Sequence, residues 1–334
     1  MTHRQWPARR IFGALGTPLL MAGLLIGLGS AAASASGCQS WTGVLPPSPG
    51  ASFNKLDGVT VLSPCDTWAV GFDSNGTTNQ SLIEHWNGSS WTVVPSPDPG
   101  STANVLSGVR AVSSTSIWAV GYYSDGNGDK TLILHWNGTA WKQAPSPNLG
   151  SGDFLTAVAG TSTANAWAVG AYATSTGTHT LILHWNGTKW TRLASPNPGT
   201  GNELFGVGAT SPASAWAVGF SAGATRGQTL ILHWNGRKWT RVASPTPGAF
   251  DNFLNSVTVT SAGNAWAVGD YSNSTTDSET LILHWNGRTW TRVASPNPGG
   301  TSNKLWAVAA ASASNAWVVG SFSDNTQALA FHCC

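Results

Sequence analysis

Three Trp-Thr-Arg stretches combine residue types that could bind a sugar. Each places an indole and a guanidinium two residues apart, and alternate residues of a β-strand share a face. The pairs are Trp190 with Arg192, Trp239 with Arg241, and Trp290 with Arg292. An indole can stack on a sugar face while arginine donates hydrogen bonds to its hydroxyls, so these six residues are candidate ligand-binding residues. The alternative is edge protection, in which arginine blunts the unpaired edge of an outermost strand and its stem covers the tryptophan.

A second candidate set is an Asn or Asp just before an apolar run that recurs along the chain. The six positions are Asn54, Asn104, Asp153, Asn202, Asn252 and Asn303. If the runs surround a common axis, these side chains ring the entrance of a channel and could hold an ion or a ligand. The alternative is an Asx turn that starts each strand.

A recurring histidine invites a metal or catalytic interpretation. It occurs at His85, His135, His184, His233, His284 and His332. No second ligand recurs at metal spacing. Buried polar groups normally find hydrogen-bond partners, so we predict a structural histidine in each repeat, with no metal site and no cofactor.

Catalysis would need residues that break the repetition. The candidates are Arg110, Asp129, Lys130, His179, Arg226, Asp270, Asp277 and Glu279. None has an evident catalytic partner in the sequence, and no Gly-x-Ser-x-Gly, His-Glu-x-x-His or phosphate-loop motif occurs. We therefore assign no catalytic residue and expect a binding protein rather than an enzyme. A hydrolase with an asymmetric site in a central funnel remains an alternative.

All of these residues belong to an internal repeat. Trp-Ala-Val-Gly begins at Trp68, Trp118, Trp167, Trp216 and Trp266, and Trp-Val-Val-Gly at Trp317, with spacings of 50, 49, 49, 50 and 51 residues. His-Trp-Asn-Gly follows in the first five copies, and a second Trp comes six residues after each of their histidines. A fixed period of this length indicates a repeat architecture.

Each repeat predicts four short antiparallel strands. The first is an apolar run such as Leu204–Thr210, the second carries Trp-Ala-Val-Gly, and the third is Leu-Ile-Leu-His-Trp. Asn-Gly is a tight-turn signal, and the fourth strand runs from the second Trp to Ser-Pro, where proline ends the ladder. Sheets with a bulky and a small face can stack radially, so we predict an all-β propeller. An open solenoid is less favoured, because no distinct capping repeat is visible.

The chain ends predict how the ring closes. The sixth repeat lacks a fourth strand, and Trp41–Gly50 matches the missing segment. We therefore predict six four-stranded blades, the last completed by residues 41–45. The repeats resemble those of secreted bacterial propeller proteins built on WAVG and LHWNG-W, and are similar to kelch, WD and Asp-box propellers. That resemblance implies a fold rather than an activity.

Four cysteines lie near the expected closure. The alignment favours bridges Cys38–Cys334 and Cys65–Cys333, although four cysteines allow three pairings. An even count in an exported chain favours disulfides. The alternative is a lipobox at Ala35–Cys38, which would make the protein a cell-surface lipoprotein anchored through Cys38.

The N-terminus predicts export. Residues 1–35 combine Arg4, Arg9 and Arg10, an apolar stretch and a small-residue cleavage site, a pattern typical of a signal peptide. The "RRIF" run resembles a twin-arginine signal. Removal leaves a single propeller domain over 36–334 with 13 basic and 14 acidic residues.

That charge balance gives no reason to expect nucleic acid as a partner. The mature chain also has no apolar run long enough to span a membrane. We expect an extracellular monomer whose partner is a glycan or protein ligand. A scaffold using the polar loops between the second and third strands is the alternative function.

Overall fold

The protein's computed structural model describes residues 43–223, 226–274, 276–323 and 326–333. Every regular element among them is a β-strand. Each sequence repeat forms one antiparallel group of consecutive strands, and we number these groups unit 1 to unit 6 in chain order. Within the described residues, units 1–5 contain four strands each and unit 6 contains three.

The strands occupy equivalent positions in every unit. The first strands are β1 (Phe53–Ser63), β5 (Ala103–Ser113), β9 (Asp153–Ser162), β13 (Gly201–Ser211), β17 (Asn252–Ser261) and β21 (Asn303–Ser312). The second strands are β2 (Asp66–Ser74), β6 (Ser116–Ser124), β10 (Asn165–Thr174), β14 (Ser214–Ala222), β18 (Asn264–Ser272) and β22 (Asn315–Phe322). The third strands are β3 (Asn79–Trp86), β7 (Asp129–Trp136), β11 (Gly177–Trp185), β15 (Gly227–Trp234), β19 (Ser278–Trp285) and β23 (Gln327–Cys333). The fourth strands are β4 (Trp91–Val93), β8 (Trp141–Gln143), β12 (Trp190–Arg192), β16 (Trp239–Arg241) and β20 (Trp290–Val293).

The units are propeller-like blades, with first to fourth strands adjacent in order. Hydrogen bonding in the described residues gives five sheets rather than the predicted six, because units 3 and 4 form one eight-stranded sheet. A single parallel pair, Thr178 with Gly201, joins those two units. The remaining sheets are three of four strands and one of three.

The motif Trp-Ala-Val-Gly owes its glycine to a bulge in the first strand. In unit 3 the register shifts where β10 pairs with β9 between Val169 and Gly170. A Cβ added at Gly170 would lie 2.0 Å from the carbonyl oxygen of Phe154, so no other side chain fits there without moving backbone. The Asn-Gly turns behave as predicted: Gly138 has φ of 96°, and Asn137 Oδ1 accepts the Thr139 backbone N–H at 3.0 Å.

Successive units pack face to face, and the apolar core lies between them. Between units 2 and 3, Trp118, Val120 and Ile133 pack on the opposing face that carries Leu155 and Leu183. The same arrangement recurs at each of the other four successive interfaces. The alternating residues of strands two and three therefore bury both faces of an interior unit.

The outer faces of the first and last units differ. Within the described residues no core cluster joins unit 6 to unit 1. Exposed apolar side chains are found on both, including Val59 and Val61 of unit 1 and Trp317 and Val319 of unit 6.

The predicted closing strand 41–45 is not reproduced where it can be seen. Residues 43–45 form no strand, and Leu45 is 89% exposed. In units 2–5 the fourth strand starts with a buried Trp that anchors it, and the matching Trp41 lies outside the described residues.

The described strands all belong to one compact body, Val44–Cys334. The predicted signal peptide 1–35 lies outside the described residues. Among the described residues, no helix has the length and apolar character needed to cross a membrane.

Candidate functional site

The structure buries the tryptophans of the Trp-Thr-Arg stretches. Trp190, Trp239 and Trp290 are each 4% exposed. Each indole meets a second-strand Trp of the preceding unit edge to face; for Trp190 and Trp118 the centroids are 5.1 Å apart. The predicted sugar site needs an open indole face, so these residues cannot form it. The tryptophans fasten one unit to the next instead.

The partner arginines of these stretches are exposed and bind protein groups. Arg192 donates to the Tyr172 hydroxyl at 2.8 Å, and Arg292 donates to the Tyr271 hydroxyl at 2.6 Å. Arg241 differs, since it donates to Gln228 Oε1 at 3.0 Å.

The predicted ring of Asn and Asp residues is structural. In each unit the side chain accepts a backbone N–H from three or four residues earlier; Asn252 Oδ1, for example, accepts from Gly248 at 2.7 Å. Four of them also donate to a third-strand carbonyl of the preceding unit, as Asn252 does to Gly227 at 2.8 Å. All but Asn54 are almost fully buried. Their amides are therefore occupied by backbone and do not form a ligand ring.

The repeated histidines all make the predicted hydrogen bond within their own unit, although His332 is exposed rather than buried. Each imidazole packs on the second-strand Trp of its own unit; the centroids of His184 and Trp167 are 4.1 Å apart. Each Nε2 also bonds a side chain at the start of the second strand, as His184 does to Asn165 Oδ1 at 2.8 Å. Burial lowers the pKa of His135, His184, His233 and His284. Burial thus favours the neutral form of these rings.

The predicted bridge between Cys65 and Cys333 is absent, since both are free, exposed thiols. A reason lies in the position of Cys65. It packs within unit 1, where a Cβ added at Gly88 would lie 2.9 Å from its sulfur. Cys38 and Cys334 lie outside the described residues.

Most repeat-breaking residues are dispersed. Lys130 pairs with Asp125 at 2.6 Å, His179 packs on Tyr172, and Glu279 accepts from the Tyr271 hydroxyl. Three of them line cavities together with other polar groups: Asp270 in a cavity lined by five units, Asp277 in a cavity between units 5 and 6, and Arg226 in a cavity of unit 4.

The central cavity, which we call the mouth site, is the strongest candidate. It has a volume of about 530 Å³, and first strands of units 1, 3, 4, 5 and 6 contribute to it. The lining residues are Asp57, Thr156, Phe205, Phe253, Asn255, Asp270, Lys304 and Trp306. First strands of five units therefore meet at one cavity.

One wall of the mouth site is aromatic. Phe253 stacks on Phe220 with centroids 4.6 Å apart, and Phe205 lies 6.4 Å from Phe253. Trp306 is 48% exposed, and its Nε1–H donates to Ser321 Oγ at 2.9 Å. That bond fixes the indole plane while much of its surface stays open to a ligand.

The polar wall centres on Asp270. Asn255 Nδ2 lies 2.8 Å from the Leu305 carbonyl oxygen and 3.4 Å from Asp270 Oδ1. Burial raises the pKa of Asp270 to about 6, partly offset by Lys304 and by the Asn255 bond, while Asp251 raises it further. Near neutral pH this carboxyl therefore changes between hydrogen-bond donor and acceptor.

Of the residues that line the mouth site, the sequence analysis identified only Asp270 as a candidate. Its residues occupy positions that differ between repeats, whereas the predicted sites were residues that recur. One such position lies three residues after the leading Asn or Asp of each repeat and holds Asp57, Ser107, Thr156, Phe205, Asn255 and Trp306. A position that differs from repeat to repeat, within repeats that are otherwise alike, was the sequence signal that could have indicated this site. Among the described residues, no group of His, Cys, Asp and Glu could hold a metal ion.

Solved structures with this fold exist, although the chain matches no protein-family model and no curated protein. YCF48 bound to a D1 peptide is 15% identical, with a TM-score of 0.52, covering 86% of this chain and 84% of that chain. A GH74 xyloglucanase from Xanthomonas campestris is 14% identical, with a TM-score of 0.51, covering 83% of this chain and 43% of the enzyme.

A PL25 ulvan lyase bound to a GlcA(1-4)Rha3S unit is 8% identical, with a TM-score of 0.54, covering 81% of this chain and 78% of that chain. At such low identities these similarities establish an all-β, propeller-like fold with four-stranded antiparallel blades. They establish nothing about activity.

Proposed function

We propose that this chain is a non-catalytic binding protein that takes a carbohydrate chain at the mouth site. One observation carries the proposal: an open aromatic wall faces a small set of polar groups in a single cavity. Trp306 and Phe253 offer ring surface, while Asn255, Asp270 and Lys304 offer donors and acceptors. Binding cavities typically combine an apolar lining with few, well-placed polar groups.

The lining favours a sugar over a purely apolar or strongly charged ligand. A pyranose has an apolar C–H face and a rim of hydroxyls that both donate and accept. The mouth site contains carboxylates and an ammonium together, and Asp57 is already paired with Lys55 at 2.6 Å. Proteins of this fold include polysaccharide-acting enzymes and a peptide-bound factor, so the fold leaves both ligand classes open, and the choice rests on the lining.

The proposal includes a ring of six blades and an exported chain. The convergence of five units on one cavity supports the ring, and residues 1–35 support export. The resemblance to secreted propeller repeats points the same way. Mass spectrometry of mature protein, before and after reduction, tests the cleavage site, lipidation of Cys38 and the predicted Cys38–Cys334 bridge.

A glycan array followed by calorimetry tests the ligand class. Trp306→Ala and Phe253→Ala should each weaken binding of the best glycan about tenfold, the loss expected for about 1.4 kcal/mol of ring contact. Ser107→Ala is the matched control, because Ser107 is the unit 2 equivalent of Trp306 but does not line the cavity. Binding of peptides rather than glycans by the wild type would favour the scaffold function.

A hydrolase is the second candidate, because Asp57 and Asp270 line the same cavity and the pKa of Asp270 is near neutrality. Most glycoside hydrolases cleave with a pair of carboxyl groups, one of which acts as the acid. Incubation of the bound glycan with wild type, Asp57→Asn and Asp270→Asn, followed by product analysis, decides between the two. Products from wild type that disappear in both variants would replace the binding proposal.

A further inference from the structure

Unit 4 contains a second cavity, away from the first-strand residues that line the mouth site. It has a volume of about 430 Å³ and is lined by Arg226, Gln228, Arg241, Ala243, Ser244 and Thr246. We call it the unit 4 cavity. Two guanidinium groups and two hydroxyls around one space suggest recognition of an anion.

The cavity lies where unit 4 departs from its neighbours. In units 3 and 5 the arginine of the fourth strand donates to a tyrosine hydroxyl, and each guanidinium also lies over the ring, 5.1 Å from Tyr172 and 4.6 Å from Tyr271. Unit 4 has Ser221 at that position. Ser221 Oγ donates to Asn202 Oδ1 at 2.9 Å instead, so no phenol covers Arg241.

A second departure enlarges the opening. In units 3 and 5 an asparagine after Ser-Pro accepts a backbone N–H of the third strand; Asn197 accepts from Thr180 at 2.7 Å and Asn297 from Thr280 at 2.7 Å. Unit 4 has Thr246 there, and its hydroxyl lies 2.9 Å from Thr229 Oγ1. The shorter side chain leaves a hydroxyl on the cavity wall.

The third departure adds a charge. Arg226 precedes β15, and it donates to the Gly248 carbonyl oxygen at 3.2 Å. Within the described part of the chain, neither Arg226 nor Arg241 forms an ion pair, and the nearby carboxylate of Asp251 pairs with neither. A guanidinium carries five N–H donors in a planar fork that suits oxyanions. Each arginine therefore keeps donors for a ligand.

We propose that the unit 4 cavity binds a single oxyanion, a carboxylate or sulfate group, held between Arg226 and Arg241. Charge-assisted, bidentate hydrogen bonds are the strong contacts of such a site. Arg226 and Arg241 line the cavity together with Ser244 and Thr246, whose side chains carry hydroxyls. The anion can arrive free or as a substituent of an acidic sugar, and the chemistry of recognition is the same.

Calorimetry with three probes tests the site: sodium sulfate, digalacturonate and neutral digalactose. We expect digalacturonate or sulfate to bind and digalactose not to bind at this site. Sulfate alone would identify a free-anion site, and preference for digalacturonate would identify a saccharide-borne carboxylate. Failure of both anions to bind wild-type protein would overturn the proposal.

The variants separate the cavity from general charge. Arg241→Gln and Arg226→Gln should each weaken anion binding at least about tenfold, the loss of one charge-assisted contact. Ser221→Tyr rebuilds the neighbouring units' phenol and should block binding without a charge change. Arg292→Gln is the control, since it removes an equal charge from a tyrosine-bonded arginine and should bind as wild type does.

Two results would refute the cavity as the site. One is equal weakening by Arg292→Gln and Arg241→Gln, which would indicate nonspecific charge attraction. The other is unchanged anion binding by Arg226→Gln. Because Arg226 is exposed, its replacement leaves the core intact, and this variant can test the proposal even if Ser221→Tyr does not fold. Failure of the mouth site to bind neutral glycans would leave this test unaffected.

Discussion

Glu84 gives the sharpest stability prediction. It occupies the third-strand position that holds Leu134, Leu183, Leu232 and Leu283 in the next four units. Glu84 is 0% exposed, and neither carboxylate oxygen has a hydrogen-bond partner. Burial raises the pKa of this carboxyl from 4.5 to about 7. A carboxyl group without a hydrogen-bond partner therefore occupies a buried position that holds leucine in the next four units.

The sign and size of the effect follow from linkage. The folded chain keeps the Glu84 proton up to about pH 7, whereas the unfolded chain loses it near 4.5. Stability is therefore fullest below pH 4.5 and falls as pH rises through 7. The gap corresponds to about 3 kcal/mol. Glu84→Leu should recover about this much at pH 8 and much less of the ionisation cost at pH 5.

Urea unfolding of the chain at pH 5 and pH 8 measures this. Glu84→Gln separates ionisation from polarity, because it should remove the part of the pH dependence that Glu84 contributes without supplying leucine packing. Leu134→Glu transfers the carboxyl to unit 2 and should create the same loss of stability with rising pH. Wild type and Glu84→Gln with identical pH dependence would refute the reasoning.

Three further results are expected. Burial raises the pKa of Asp270 to about 6, so its carboxyl group becomes an ionised, stronger acceptor between pH 5 and 7, and glycan affinity at the mouth site should rise over that range. In calorimetry, Asp270→Asn should abolish this rise. A rise that persists in the variant would exclude Asp270 from the site. Gly170→Ala should lower the free energy of unfolding in urea by more than about 3 kcal/mol. Gly300→Ala, where nothing lies within 4 Å of the added Cβ, should change it by no more than about 0.5 kcal/mol. Equal losses would contradict the explanation from close backbone approach. Asn165→Ala leaves the His184 Nε2–H unpaired and should lower the free energy of unfolding by about 1–3 kcal/mol. Ser214→Ala should lower it less, because the bond from Ser214 to His233 is 3.4 Å long. The reverse order would argue against a structural role for this bond.

The repeat pattern predicted the local structure well, because the signals are local. Trp-Ala-Val-Gly, Asn-Gly and Ser-Pro act through alternation, positive φ and the missing proline N–H, and each needs only a few neighbouring residues. The role of His184 was also accessible, since a polar residue that recurs among buried strands must find a recurring partner.

The sites were harder because burial depends on the next unit. Alternation correctly indicates that Trp190 and Trp239 occupy equivalent strand positions, but it does not reveal that the preceding unit covers both indoles. For a related reason, the predicted closing strand is not found at residues 43–45. Equivalence between Trp41–Gly50 and a fourth strand is a sequence relation, whereas pairing depends on contacts at the chain ends, and Leu45 makes none that bury it.

The division between constant and varying positions has a consequence for stoichiometry. The residues that recur are buried between units, as Trp118 and Trp190 are, so repetition supplies stability rather than multiple binding sites. The residues that differ, such as Phe205, Asn255 and Trp306, meet at one cavity. We therefore expect one glycan per chain at the mouth site, rather than one per unit. Calorimetric saturation at several equivalents that persists in Trp306→Ala would return the binding function to the repeated surface.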